Sequence, residues 1–312
     1  MDISKSKIVT EERQQWLRTL YFSNSNSLKK ERENISIQDI CFLIQSSKLD
    51  TELEKLLYQK IKDSNDICLL IDTLTNTPFV DADNHAEIFS SLEFASAAAD
   101  YFEEQYKNLK IVSFDSTEDM FESLYRDGFS EALLDNGFYH TCIPITSIIS
   151  LDKINSKAPA VNRELRFSAL SLFQEITWEV EYIERKTVLQ NKEKEMLSNL
   201  ANAQLYVPIM QDEKLIKNIT TQNTIEIDEG YHINILYVVH PENQRKYLPG
   251  FTTISEMTKL YDTDDTAVLL LSLDIIAALA SENSDGFVLD WNTTNFIMSN
   301  ENLNSIVNLY KK

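Results

Sequence analysis

The chain has 312 residues, 43% of them apolar and 25% charged, with a formal net charge of −20 and a pI near 4.6. That length accommodates two domains with separate cores, and the composition is that of a folded globular protein. The charge speaks against nucleic acid and anionic lipid as partners, because binding to either depends on clustered Lys and Arg.

The first 66 residues read as helical. Apolar residues recur at helical spacing in Glu11–Phe22 (Trp16, Leu17, Leu20, Tyr21) and in Ser36–Ser46 (Ile37, Ile40, Cys41, Ile44). Thr51 with Glu54 forms a capping box that opens a third helix, with Leu53, Leu56, Leu57 and Ile61 on its apolar face. Short apolar runs follow. Ile67–Leu74 reads as a buried strand, Thr77–Asp81 as an extended piece, Ser91–Tyr106 as a helix, Lys110–Phe114 as a strand and Thr117–Tyr125 as a helix. Ala132–Asp135 and Phe138–Ile143 flank Asn136-Gly137, the strongest short hairpin signal.

Asn162–Ala203 is helical again, as one long helix or two, with a boundary ahead of it at Lys157-Ala158-Pro159. Leu205–Met210 begins a second strand-rich region, and Thr224–Ile227 and His232–Val239 flank a turn at Glu229-Gly230. Then come Tyr247–Phe251, a helix near Ile254–Tyr261, a strand at Ala267–Leu271 and a helix at Leu273–Ser281. Strands at Gly286–Leu289 and Phe296–Met298 and a helix at Glu301–Tyr310 complete the chain. The expected class is α/β (α+β). The expected divisions are a helical region 1–66, an α/β unit 67–152, a helical connector 153–204 and a second α/β unit 205–312.

Five glycines and six prolines argue against a glycine-rich phosphate loop or a long flexible linker. Cys41, Cys68 and Cys142 are far apart and form no C-x-x-C pair, which reads as free thiols in a reducing cytoplasm. MDISKSKIVTEERQQW has no apolar stretch behind a basic start, so no signal peptide is expected. The run Ala267–Ala280 is too short for a bilayer and contains Asp274, so it reads as core. Charge is uneven: residues 79–142 hold 14 acidic against 3 basic residues, and residues 250–312 hold 9 against 3. Any acidic face belongs to those stretches.

Two stretches resemble each other. IFSSLEFASAAADYF (88–102) and GFTTISEMTKLY (250–261) each place a phenylalanine, two small hydroxyl residues and a glutamate at a helix start. Ser90 with Glu93 and Thr253 with Glu256 fit capping boxes, slipped by one residue relative to the phenylalanine. Further on, DGFSEALLDNGFYHTCIPITSI (127–148) and DGFVLDWNTTNFIMSNENLNSI (285–306) share Asp-Gly-Phe, an apolar strand, an Asp, a turn, a strand and a closing helix. An internal duplication is expected from this order.

LYVPIM (205–210), YLPGFTTISEM (247–257) and SDGFVLDWNT (284–293), in that order, resemble the N-terminal domain of the SseB (enhanced serine sensitivity protein B) family. The resemblance covers roughly residues 195–308, with a more divergent match over about 67–150. Asp290-Trp291 stands where the family more often has an asparagine-proline turn. The resemblance implies a compact α/β domain with a mixed sheet flanked by helices. It carries over no catalytic residue set.

Motif chemistry is sparse. Asp81, Asp83, His85 and Glu87 alternate, so on a strand they would share a side. As a calcium loop this segment fails, with Ala86 at the glycine position and Leu92 at the terminal glutamate position, and DTDDT (262–266) fails likewise. As a zinc site it offers one histidine and no nearby partner, and His140 and Cys142 would have to come from the hairpin. His85, His140, His232 and His240 have no motif-like neighbours, and Cys142, alternating with His140 on a strand, reads as a buried, inert cysteine, not a catalytic one. G-x-S-x-G, H-E-x-x-H, Walker and dinucleotide patterns are absent. No catalytic, cofactor-binding or metal residue is assigned, and no cofactor is expected. Trp178, Tyr182, Phe167 and Phe173 read as core joining the two units, the alternative being a groove for a partner peptide.

The expected function is a non-enzymatic interaction or regulatory protein turning acidic faces to a protein partner. Its rivals are a hydrolytic enzyme using the cluster Asp81–Glu87 with His140, and a structural subunit of a larger assembly.

Overall fold

The computed structural model describes residues 9–23, 31, 34–46, 51–152, 154, 162–210, 233–262 and 265–310. The expected segment Thr224–Ile227, the turn Glu229-Gly230, His232 and the boundary at Lys157-Ala158-Pro159 lie outside them. The fold is α+β. Its contacts divide it into two units, Met1–Ala160 with Gln174–Tyr182, and Val161–Phe173 with Ile183–Lys312.

The first unit opens with helices α1 (Glu11–Ser23), α2 (Ile37–Ser46) and α3 (Thr51–Lys62). Ser36 and Asp39 cap α2 reciprocally: the Asp39 N–H donates to Ser36 Oγ at 3.1 Å and the Ser36 N–H to Asp39 Oδ2 at 3.0 Å. The buried Asp39 carboxylate also receives Arg13, whose Nη2 lies 2.7 Å from Oδ2. The apolar stripe expected for α2 is observed, with Ile37, Ile40 and Cys41 buried.

Strand β1 (Cys68–Asp72) is buried along its whole length, as a continuous apolar run in a covered strand should be. One edge pairs antiparallel with β4 (Leu109–Ser113) over five positions. The other edge takes β2 (Thr77–Pro78) at one end and β3 (Ala86–Phe89) at the other. β3 runs parallel to β5 (Glu131–Leu134), and β5 pairs antiparallel with β6 (Thr141–Pro144). Helix α4 (Leu92–Glu103) links β3 to β4, and α5 (Thr117–Arg126) links β4 to β5. Each turns an apolar face inward: Phe94, Ala95 and Ala98 on α4, Met120, Phe121 and Leu124 on α5.

The central helical stretch is two helices, α6 (Arg163–Thr177) and α7 (Arg185–Ala201). In the second unit β7 (Gln204–Met210) pairs antiparallel with β10 (Thr266–Ser272) along its full length. Tyr206 also bridges to Phe251 through two backbone hydrogen bonds of 2.9 Å. Phe251 follows β9 (Lys246–Gly250), which pairs antiparallel with the short edge strand β8 (Val238–Val239) and parallel with β11 (Gly286–Leu289). β11 pairs antiparallel with β12 (Phe296–Ser299). Helix α8 (Ile254–Thr258) links β9 to β10, α9 (Leu273–Asn283) links β10 to β11, and α10 (Asn300–Tyr310) follows β12. Leu165, Leu172, Met196, Leu200, Val207 and Phe287 lie in one core cluster here. The run Ala267–Ala280 is not uniformly core: Leu270 and Ile275 are 42% and 46% exposed.

Asn136-Gly137 does not make a two-residue hairpin. The connection runs from Asp135 to His140, because the Asp135 carbonyl accepts the N–H groups of Phe138, Tyr139 and His140. Phe138 stacks on Phe94 with centroids 4.1 Å apart, and the buried Tyr139 hydroxyl accepts the Val9 N–H. These side chains need a longer loop than a type I′ turn allows.

The two Asp-Gly-Phe tripeptides also do different work. Gly128 follows α5 at φ 96°, a conformation suited to glycine, and lies ahead of β5. Gly286 opens β11, and a Cβ there would meet the Met298 carbonyl oxygen at 2.1 Å. Gly286→Ala must push β11 and β12 apart. The expected loss is more than about 2 kcal/mol, measured by urea denaturation.

Candidate functional site

Each unit buries an aspartate just past the first strand of its terminal hairpin. In the first, Asp135 Oδ1 accepts the Ser90 N–H at 2.8 Å and Oδ2 accepts the Ser90 hydroxyl at 2.7 Å. In the second, Asp290 Oδ1 accepts the Thr252 N–H at 2.8 Å and Oδ2 the Thr252 hydroxyl at 2.6 Å. Both aspartates have positive φ, 53° and 44°, and both N–H groups donate to the parallel neighbour strand, at Ile88 and Gly250. Burial raises both to about 6, against the opposing hydrogen bonds from Ser90 and Thr252 and, at Asp290, the Arg166 charge.

The expected cap at Ser90 is corrected by this geometry. Ser90 is occupied by Asp135, and Ser91 caps α4 by accepting the Phe94 N–H. In the second unit Thr252 takes the aspartate and Thr253 caps α8, as expected. The two caps therefore stand at the same distance from Phe89 and Phe251, and the slip disappears.

The environments of the two clamps differ. The Ser90 hydroxyl also receives the Gln38 amide at 2.7 Å. Asp290 instead faces Arg166 of α6, whose Nη1 lies 3.4 Å from Oδ2 and whose Nη2 lies 2.8 Å from Glu256 Oε1. Lys259 and Thr293 also bond Glu256, at 2.8 and 3.0 Å. Burial would raise Glu256, but Arg166, with Lys259 and Thr293, outweighs it and holds the carboxyl below its ordinary value. Such a cluster ties together the strand ends at Thr252 and Asp290.

Residues 185–304 match the SseB protein N-terminal domain. No curated protein and no solved structure matches the chain. The SseB match takes in Thr252, Glu256 and Asp290 and leaves out Arg166, so the buried cation comes from outside the matched region.

Most of the residues singled out for chemistry lie in the first unit. Residues 81–85 form a loop, and the strand begins only at Ala86. Asp81 Oδ1 accepts the N–H groups of Asp83 and His85 at 2.9 and 2.7 Å, and Asn84 sits at φ 69°. The expected four-residue alternation therefore fails at Asp81 and Asp83, the latter exposed. Asp81 Oδ2 instead contacts His85 Nδ1 at 3.2 Å. His85 Nε2 lies 3.6 Å from Glu131 Oε2.

Glu87 is fully buried in β3. Its Oε1 accepts the Asn136 amide at 2.6 Å, and Asn136 Oδ1 lies 3.2 Å from His140 Nδ1. Burial pushes Glu87 up to about 8. A cavity of about 190 Å³ takes in His140, Thr141 and Cys142 with Glu54 and Tyr58, and none of the residues 81–87. His240 stands apart, edge-on to Trp291 at 5.8 Å. The Trp178 indole N–H donates to the Gln105 carbonyl, Lys107 lies over its ring and Tyr182 lies beside it, while Phe173 meets Phe296.

Sequence reasoning passed over Arg166 and Glu131. Neither has a local signature. Arg166 looks like an ordinary surface residue of an amphipathic helix, and Glu131 reaches His85 only through the parallel register Ala86↔Ala132.

Proposed function

We propose that this SseB-like protein is a non-enzymatic interaction or regulatory module made of two related units, and that it engages a basic protein partner. The observation that carries this reading is where the acid stands. Helices α4 and α5 turn their apolar faces inward, and Glu93, Asp100, Glu103, Glu118 and Asp119 on them are exposed, as is Glu104 just beyond α4. A surface field of one sign steers an oppositely charged partner more than it adds contact energy.

Duplication of one unit is supported by the common strand order, β4-β1-β3-β5-β6 and β10-β7-β9-β11-β12, when the Tyr206–Phe251 bridge is counted. The shared aspartate–hydroxyl clamp, two residues ahead of α4 and of α8, supports it further. An experimental structure with different strand orders in the two units would remove this part of the reading.

The test is capture from native lysate at low and high salt, beside a variant carrying Glu103→Lys, Glu104→Lys and Asp119→Lys. These positions are exposed, so the fold should persist. The variant and high salt should each weaken the partner's binding by on the order of tenfold or more. A partner bound equally under all conditions would overturn the acidic-face reading.

One arrangement favours the rival hydrolytic reading: Glu87, Asn136 and His140 lie in hydrogen-bonded sequence. The cavity at His140 excludes the acidic loop, which weighs against it. Hydrolysis of any ester, amide or phosphoester in a substrate panel, lost in His140→Ala, would decide for the enzyme.

A further inference from the structure

We propose that the first unit binds a zinc ion through His85 Nε2, a Glu131 carboxylate oxygen and Cys142 Sγ. One ligand atom from each of the three residues lies within 4.8 Å of the other two. They come from the loop that leads into one strand and from the two strands beside it. His85 immediately precedes β3, Glu131 opens β5 beside it in parallel register, and Cys142 lies in β6 opposite Leu133. Residues 131 and 133 share a face of β5, so the register alone brings all three side chains to one side of the sheet.

The geometry suits a tetrahedral ion. Bonds of about 2.0–2.3 Å to N, O and S put neighbouring ligand atoms roughly 3.3–3.7 Å apart. His85 Nε2 and Glu131 Oε2 already stand at 3.6 Å. The Glu131 side chain is 45% exposed and Cys142 is exposed, so both have room to close the remaining distance.

The second observation is the orientation of the imidazole. Asp81 Oδ2 lies 3.2 Å from Nδ1, and the Asp81 side chain is 11% exposed. With Nδ1–H donating to that carboxylate, Nε2 is left as the lone-pair nitrogen, and it faces Glu131. A carboxylate behind a ligating histidine is the usual support in zinc sites. Asp81 is itself fixed by accepting the Asp83 and His85 N–H groups, so the ring is held before any ion arrives.

Charge points the same way. A divalent cation bound here displaces the thiol proton and is neutralised locally by one thiolate and one carboxylate. Imidazole with thiolate selects a borderline-soft ion over magnesium or calcium. Three protein ligands leave a fourth position for water or a partner's side chain. This inference is independent of the acidic-face reading.

The test uses the full chain, reduced with a phosphine and stripped of metal, titrated with Co²⁺ as the spectroscopic stand-in for Zn²⁺. One equivalent should bring up a thiolate-to-cobalt charge-transfer band and the visible bands of a tetrahedral site, both erased by Zn²⁺. Cys142→Ser should abolish the charge-transfer band, and His85→Ala should weaken binding by about 100-fold or more. Asp81→Asn should weaken it by about 10–100-fold, the range for a supporting carboxylate. Glu131→Gln, at a partly exposed position, keeps the fold and should also weaken binding. Absence of the bands at millimolar Co²⁺ would overturn the proposal. So would a band surviving in Cys142→Ser, which would place the thiolate at Cys41 or Cys68.

Discussion

Replacing Glu87 by Gln is expected to stabilise the first unit at pH 9, by on the order of 3 kcal/mol, and to change little at pH 4.5. Glu87 is fully buried, and its Oε2 has no hydrogen-bond partner among the described residues. Burial is the main reason its carboxyl is raised to about 8; Asn136 opposes the shift and Asp81 adds to it. A carboxyl raised in the fold favours the folded state while protonated. That contribution is complete below the unfolded value near 4.5 and is lost as pH rises to about 8. Asp135 and Asp290, raised to about 6, add the same sign of slope at lower pH. The wild-type protein should therefore weaken between pH 4.5 and 8, and Glu87→Gln should flatten the upper part of that decline. Urea titrations at pH 4.5, 7 and 9, with hydrogen exchange at β3 and β5, measure it. A constant difference between variant and wild type across that range would show that Glu87 is ionised in the fold.

Arg166→Ala is expected to destabilise the second unit by about 3–5 kcal/mol, the range for breaking a buried ion pair from one side. Arg166, Glu256 and Asp290 are 7%, 3% and 1% exposed, so water cannot replace the guanidinium. Glu256 would keep Lys259 and Thr293, but among the described residues Asp290 would keep only the Thr252 hydroxyl and N–H as hydrogen-bond donors to its carboxylate. The loss should be smaller at pH 5 than at pH 8, because an Asp290 without its cation is protonated more readily. Arg166→Lys should recover only part of it, since an ammonium is not a fork able to hold both carboxylates. A change below about 1 kcal/mol in Arg166→Ala would show that the cluster is solvated.

How far the sequence could be read depends on the range of the forces involved. The strand at Gly286–Leu289 was expected at those limits and is β11. Thr253 was expected to cap a helix and does. Such features rest on neighbours a few residues apart. Ser90 and Ser91 show where that fails. Ser90 reads as the N-cap by sequence, but the place falls to Ser91 because Asp135, 45 residues away, takes Ser90. The Asn136-Gly137 turn was lengthened for the same reason, since Phe138 and Tyr139 are drawn to Phe94 and Val9.

The sequence by itself determined the two strand-rich regions, the position and kind of most of their elements, and the acidic surplus, because periodicity, capping and composition are local properties. Only the tertiary structure decided which residues meet. Parallel pairing of β3 with β5 sets His85 beside Glu131, and β6 adds Cys142. Helix α6 carries Arg166 to Asp290 across 124 residues of chain. The physical reason is that such contacts join segments far apart in the chain, and within a sheet a register shift of one residue would turn a strand's side chains to the opposite face.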